Sequence, residues 1–246
     1  MATLVTPTRG EQATATVAHE PLAVRRQTVR NVLRFGMQGT RPFGRSMWCA
    51  VLATAAGAAP AEPVAIAPAG LSPGASAVVS WVRGTADNGK LPYVVIDKVQ
   101  ARLLVFSPTG VLIGSSAVLL GSAPGDASVP GIGERELRAV LPHERTTPAG
   151  RFVLEAGRNL QGDDIIWVDY DAAVSMHRVR ANNPAEQRLA RLASATPLDN
   201  RISYGCINVP AAFYDQVLQR ALPGGLGIAY IVPEHVPLQV ALPQMR

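Results

Sequence analysis

A chain of 246 residues that is 48% hydrophobic and 17% charged can bury one good core and a small appendage. Its formal charge of +5 belongs to the N-terminal quarter. Residues 1–61 carry seven Arg and two Glu, whereas residues 62–246 carry 16 basic and 16 acidic side chains. The balanced remainder has no electrostatic reason to seek nucleic acid, and none is expected as a partner.

Residues 1–61 read as a leader. Arg41 and Arg45 precede an apolar run of small residues, Met47 to Ala56, followed by Gly57-Ala58-Ala59-Pro60-Ala61 with its A-x-A-like cleavage choices. The run is short for a bilayer span. This pattern predicts an exported protein of the periplasm or cell envelope; the plainer alternative is an Ala-rich linker. A long polar stretch precedes the run, which points to Met37 as the true start, with an N-terminal cytoplasmic tail on an uncleaved anchor as the other option. Cleavage near Ala61 would remove Cys49 and leave Cys206 as the only thiol, unable to form an internal disulfide.

Residues 62–90 form a linker and a short helix, which Ser72 as N-cap and Pro73 at the first helical position open and which runs to about Arg83. From Leu91 the period changes. Tyr93–Ile96, Arg102–Phe106 and Val111–Leu120 read as three strands joined by tight turns, an antiparallel meander. Residues 121–150 are rich in Gly and Pro and have no period, so they read as a long functional loop. Strand character returns at Arg151–Glu155, Ile165–Val168 and Val174–Val179. Ala185–Ser194 and Pro210–Leu222 read as helices and Gly227–Val232 as a closing strand. The whole is mainly β with a few short helices, and residues 234–246 form a C-terminal tail.

Cys206 sits between a strand-like run and the helix expected near Pro210. A thiol ahead of a helix N-terminus would be drawn toward thiolate, and Gly205 would allow a sharp turn with exposed N–H groups. A lone cysteine is by default a small buried apolar residue, so both readings stand on composition alone. Of the four histidines, His19 falls in the leader, His143 in the long loop and His235 in the tail. His177, ending a strand upstream, is the best partner base.

These residues resemble a known family over residues 91–233. Ser203-Tyr204-Gly205-Cys206-Ile207-Asn208 with upstream His177, and Thr147-Pro148-Ala149-Gly150-Arg151-Phe152, are similar to two signatures of the L,D-transpeptidase (YkuD-like) catalytic domain. Gln100 and Gly110 in the opening turns fit the same pattern. The resemblance implies an L,D-transpeptidase-like β-sandwich, with Cys206 as nucleophile, His177 as base and a backbone carbonyl near Arg178 as third member. It also implies Ser203 as loop support and oxyanion donors from Tyr204, Gly205 and Cys206. The implied reaction is attack on the third residue of a peptidoglycan stem tetrapeptide, release of D-alanine, and transfer to an amine, with no cofactor and no metal. A hydrolytic L,D-carboxypeptidase of the same chemistry, or a non-catalytic wall-binding relative, are the alternatives.

Three features depart from the family. Tyr204 stands where His is common, Arg178 stands where Gly often follows the histidine, and the stretch from His177 to Ser203 is longer than usual. That stretch is rich in arginine. It reads either as a solvated surface or as a lid whose guanidinium groups hold substrate carboxylates. Arg180, Arg201 and Asn208 are the expected substrate contacts.

Overall fold

The computed structural model describes residues 70–246; the leader, with its apolar run, Cys49 and Met37, lies outside the described residues. Ser72 caps helix α1 (Pro73–Thr85), its side-chain oxygen accepting from the Ala75 N–H at 3.2 Å. The helix presents Ala75, Val78, Val79 and Val82 to the core at helical spacing.

The strands are β1 (Tyr93–Asp97), β2 (Arg102–Phe106), β3 (Leu112–Ala117), β4 (Leu120–Gly121), β5 (Gly150–Arg158), β6 (Asp164–Asp169), β7 (Val174–Arg178), β8 (Arg201–Ser203), β9 (Ile207–Val209) and β10 (Gly227–Val232). Eight of them form one mixed sheet in the order β3-β2-β1-β10-β5-β6-β7-β9, and β4 pairs with β8. The meander β1-β2-β3 is antiparallel. The pairs β1/β10 and β7/β9 are parallel. β5 pairs with β10 through residues 150–154 and with β6 through residues 155–158, so one long strand serves both halves of the sheet.

The continuous apolar runs of the central strands follow from burial on both faces. Tyr93, Val95, Leu104, Phe106, Tyr230 and Val232 pack toward α1, together with Leu242 from the C-terminal residues. Val94, Ile96, Leu103, Val105, Ala229 and Ile231 face a second core, shared with Ile166, Met176, Ile207 and the helical run 211–221. Residues beyond 233 therefore pack on the sheet, as does α1.

Three expected elements take another form. The stretch Val111–Leu120 is two strands, because β4 leaves the meander to pair with β8. The expected helix Ala185–Ser194 is a 3-10 turn, Pro184–Glu186, followed by α2 (Arg188–Leu192); Gln187 between them has a left-handed backbone, φ 50°, that no continuous helix tolerates. The run 211–221 holds a π turn, Tyr214–Leu218, which carries Tyr214 and Leu218 into the core.

Candidate functional site

Strand register assembles the site. β7 and β9 run parallel, with Met176 opposite Ile207 and His177 opposite Asn208. Alternate residues of a strand share a face. Ser175 and His177 thus emerge beside Cys206 and Asn208, while Met176 and Ile207 enter the core.

Cys206 is half-buried, its Sγ 3.5 Å from the Ala173 carbonyl oxygen and 3.7 Å from Ser175 Oγ. No helix start lies behind it. β9 follows directly and the helical run begins at Ala211, because Ile207–Val209 is apolar and is drawn into the sheet by β7. The helix-dipole account of its reactivity is therefore replaced by contact with His177. Burial alone would push the Cys206 thiol up, but the hydrogen bond and charge of His177, with Ser175, outweigh it and hold the thiol below its ordinary value. Burial pulls His177 down, yet its contact with Cys206 and the Arg178 carbonyl carry it above the usual histidine value. The two opposite shifts both act in favour of thiolate and imidazolium over the neutral pair.

His177 Nδ1 lies 2.8 Å from the Arg178 carbonyl oxygen. A carbonyl only accepts, so Nδ1 carries a proton and Nε2 is left to exchange one with the thiol. The Arg178 side chain does something else. It pairs with Asp164 at 3.0 Å and with Asp215 at 2.6 Å, and lies over the Tyr214 ring.

The loop before the thiol is tightly held. Ser203 Oγ donates to the Cys206 carbonyl oxygen at 2.6 Å and accepts from the Gly205 N–H at 3.1 Å. The Gly205 N–H, expected at the oxyanion, is therefore engaged by Ser203, and the loop's other donors belong to Tyr204 and Cys206. Thr147 Oγ1 donates to the Gly205 carbonyl oxygen at 2.8 Å and accepts from the Gly121 N–H at 2.9 Å. The two sequence signatures thus meet in one buried hydrogen-bond pair. Gly205 has φ +132°, and a Cβ there would lie 2.7 Å from the Thr146 carbonyl oxygen. Gly205→Ala is expected to cost about 1–3 kcal/mol in strain. By displacing Cys206 from His177 it should also slow alkylation of the thiol markedly. Thermal melts and Cys206 alkylation rates of the variant check both; a wild-type rate would remove the positional role of this loop.

Tyr204 is exposed, and the Arg145 guanidinium stacks on its ring at 4.1 Å. Asn208, expected to contact substrate, is 1% exposed and has its amide nitrogen 3.2 Å from the Cys206 carbonyl oxygen and 3.4 Å from His177 Nε2. It lies behind the pair and contacts both members. The expected arginine contacts are likewise engaged within the protein. Arg180 pairs with Asp163 and lies 3.2 Å from Gln161 Oε1. Arg201 pairs with Glu234 and donates to the Lys98 carbonyl at 3.0 Å. Arg178 and Arg180 do line a cavity of about 380 Å³ beside His177, shared with Asn159, Asp163, Asp164 and Ala211. Their guanidinium groups reach it already matched to carboxylates.

Ser175 and Thr147 complete the arrangement and were assigned no individual role from sequence; Arg188, one of the arginines of the expected lid, instead contacts Asn208. Ser175 was legible, since it stands two residues before His177 in one strand. The pairing of Arg188 with Asn208 gave no signal, because the two are 20 residues apart. The chain matches no protein-family model and no curated protein.

Proposed function

We propose that this protein is a cysteine acyltransferase of the cell envelope, an L,D-transpeptidase acting on peptidoglycan stem tetrapeptides. The observation that carries the reading is the pairing of a depressed Cys206 thiol with His177, whose Nδ1 proton is anchored on the Arg178 carbonyl. The two signature motifs, the mainly β fold with its large mixed sheet and the export pattern expected of the leader support the same reading.

In the reaction, the Cys206 thiolate attacks the carbonyl carbon of the third stem residue, and the carbonyl oxygen becomes an oxyanion near the Tyr204 and Cys206 N–H groups. The C–N bond to the terminal D-alanine breaks, and imidazolium His177 gives its proton to the departing amine. A thioester on Sγ remains. An acceptor amine attacks it, His177 takes the amine proton, and the thiolate leaves. Water in place of the amine gives the carboxypeptidase outcome through the same thioester.

The test is mass spectrometry of the protein after incubation with a purified tetrapeptide muropeptide. Wild type should carry an adduct on the Cys206 peptide lacking one D-alanine, and cross-linked dimers should accumulate. Cys206→Ala should show neither. Absence of any adduct on wild type, with the thiol intact, would sink the reading.

A further inference from the structure

The segment between His177 and Ser203 touches Asn208, behind the pair, through Arg188. Arg188, at the start of α2, donates from Nη1 to Asn208 Oδ1 and from Nε to Glu186 Oε2. Its neighbour Arg191 ties the same segment to itself, donating to the Glu186 and Asp199 carbonyls at 2.8 Å each. Asn208 is buried between this segment and the catalytic pair.

A carboxamide can be turned either way, and its orientation is a matter of partners. Here both partners fix the same one. A guanidinium only donates, so Arg188 can take only the oxygen. The Cys206 carbonyl only accepts, so it can take only the NH₂. The NH₂ end therefore also faces His177 Nε2, at 3.4 Å. An N–H group at that distance favours a ring nitrogen with its lone pair free and opposes the imidazolium; a carbonyl oxygen there would do the reverse.

We propose that Arg188 is a positioning residue for the Cys206–His177 pair: by holding the Asn208 oxygen it keeps an N–H group at His177 Nε2, and so keeps the imidazolium ready to release its proton to the leaving amine. The proposal rests on Cys206 and His177 being nucleophile and base. It gives the inserted segment a role in proton transfer in place of substrate capture.

The charged groups around His177 limit what else could set its proton. Cys206 faces it from the loop before β9, and Arg180 acts on it from beyond the end of its own strand. Arg178, Asp163 and Asp164 line the cavity at its side, with the Arg178 carbonyl on Nδ1. Arg188 reaches it through Asn208. Loss of Arg188 removes a cation and leaves the amide orientation to the Cys206 carbonyl, the weaker of its two restraints once the charged partner is gone, and both changes favour the imidazolium.

The experiment is the pH profile of iodoacetamide alkylation at Cys206 in the full chain, read on the Cys206 peptide so that Cys49 does not contribute. It needs no substrate. Arg188→Ala should move the histidine-linked limb to higher pH and slow acyl transfer about tenfold. Arg188→Lys, which keeps a donor for Asn208 Oδ1, should hold the limb near its wild-type position and covers the case in which the alanine variant does not fold. In an Asn208→Ala background, Arg188→Ala should move the limb less, by only what loss of the cation contributes. An unmoved limb in Arg188→Ala, or an equal shift in the Asn208→Ala background, would overturn the relay while leaving the pair intact. A wild-type profile with no histidine-linked limb would overturn the pair as well.

Discussion

For the proposed acyl transfer, His177→Gln is expected to lose about a thousandfold, toward the upper end of what a positioned acid–base group contributes. Two effects combine. The variant has no group to protonate the departing amine, and the thiol loses the neighbour that holds it below its ordinary value. Removing the hydrogen bond and charge of the imidazole leaves burial as the dominant influence, and burial pushes the thiol up. Thiolate, which His177 favours in wild type, should then appear only in more alkaline solution. The alkylation profile separates these effects, since it reads the thiolate without the leaving-group step. Alkylation restored by raising pH, with transfer still absent, is the expected pattern. If His177→Gln alkylated at neutral pH as fast as wild type, the imidazole would not be what activates Cys206.

The strength of that expectation comes from pairings that sequence conveyed unevenly. Cys206, His177 and the Arg178 carbonyl were readable because two motifs stood in order and the histidine ended a strand. Their juxtaposition was less readable. It depends on a parallel pairing with β9, whose three residues are too few to show a period, and so Cys206 looked like the residue before a helix. The arginines misled for a different reason. Arg178 finds Asp164 and Asp215, and Arg180 finds Asp163, 14 to 37 residues away along the chain. A local charge count sees an excess that the fold has already neutralised. The central strands were the easiest part, because burial on both faces leaves an unbroken apolar run.

The same long-range neutralisation underlies the largest expected loss of stability. Lys98→Met should destabilise the protein by about 3–5 kcal/mol, the range for breaking a buried ion pair from one side. The Lys98 side chain is fully buried, with Nζ 2.8 Å from Asp126 Oδ1 and 3.3 Å from Glu234 Oε1. Arg201 balances Glu234 in the same cluster. Methionine would keep the volume and leave two carboxylates facing one cation. Asp126 also accepts from the N–H groups of Glu234, His235 and Val236 at 2.8 to 2.9 Å. Burial works to raise its carboxyl, but Lys98 and these three donors outweigh it and bring the pKa down to about 2.

A carboxylate depressed in the folded state stabilises fully above its unfolded pKa, near 3.9, and that contribution is lost as pH falls through about 2. In wild type it amounts to about 2–3 kcal/mol. In Lys98→Met the Asp126 carboxyl rises and the acid transition should move to higher pH. Denaturant titration at neutral pH and an acid titration followed by circular dichroism measure the two effects. A change under about 1 kcal/mol with an unmoved acid transition would show that the cluster is not the anchor it looks. The consequence for the site follows from the chain path. Asp126 ties the start of the long loop to the C-terminal residues, and the end of that loop sets Thr146 and Thr147 against Gly205. Loosening Lys98 should therefore slow Cys206 alkylation before the protein unfolds, because the loop that positions the thiol gives way first.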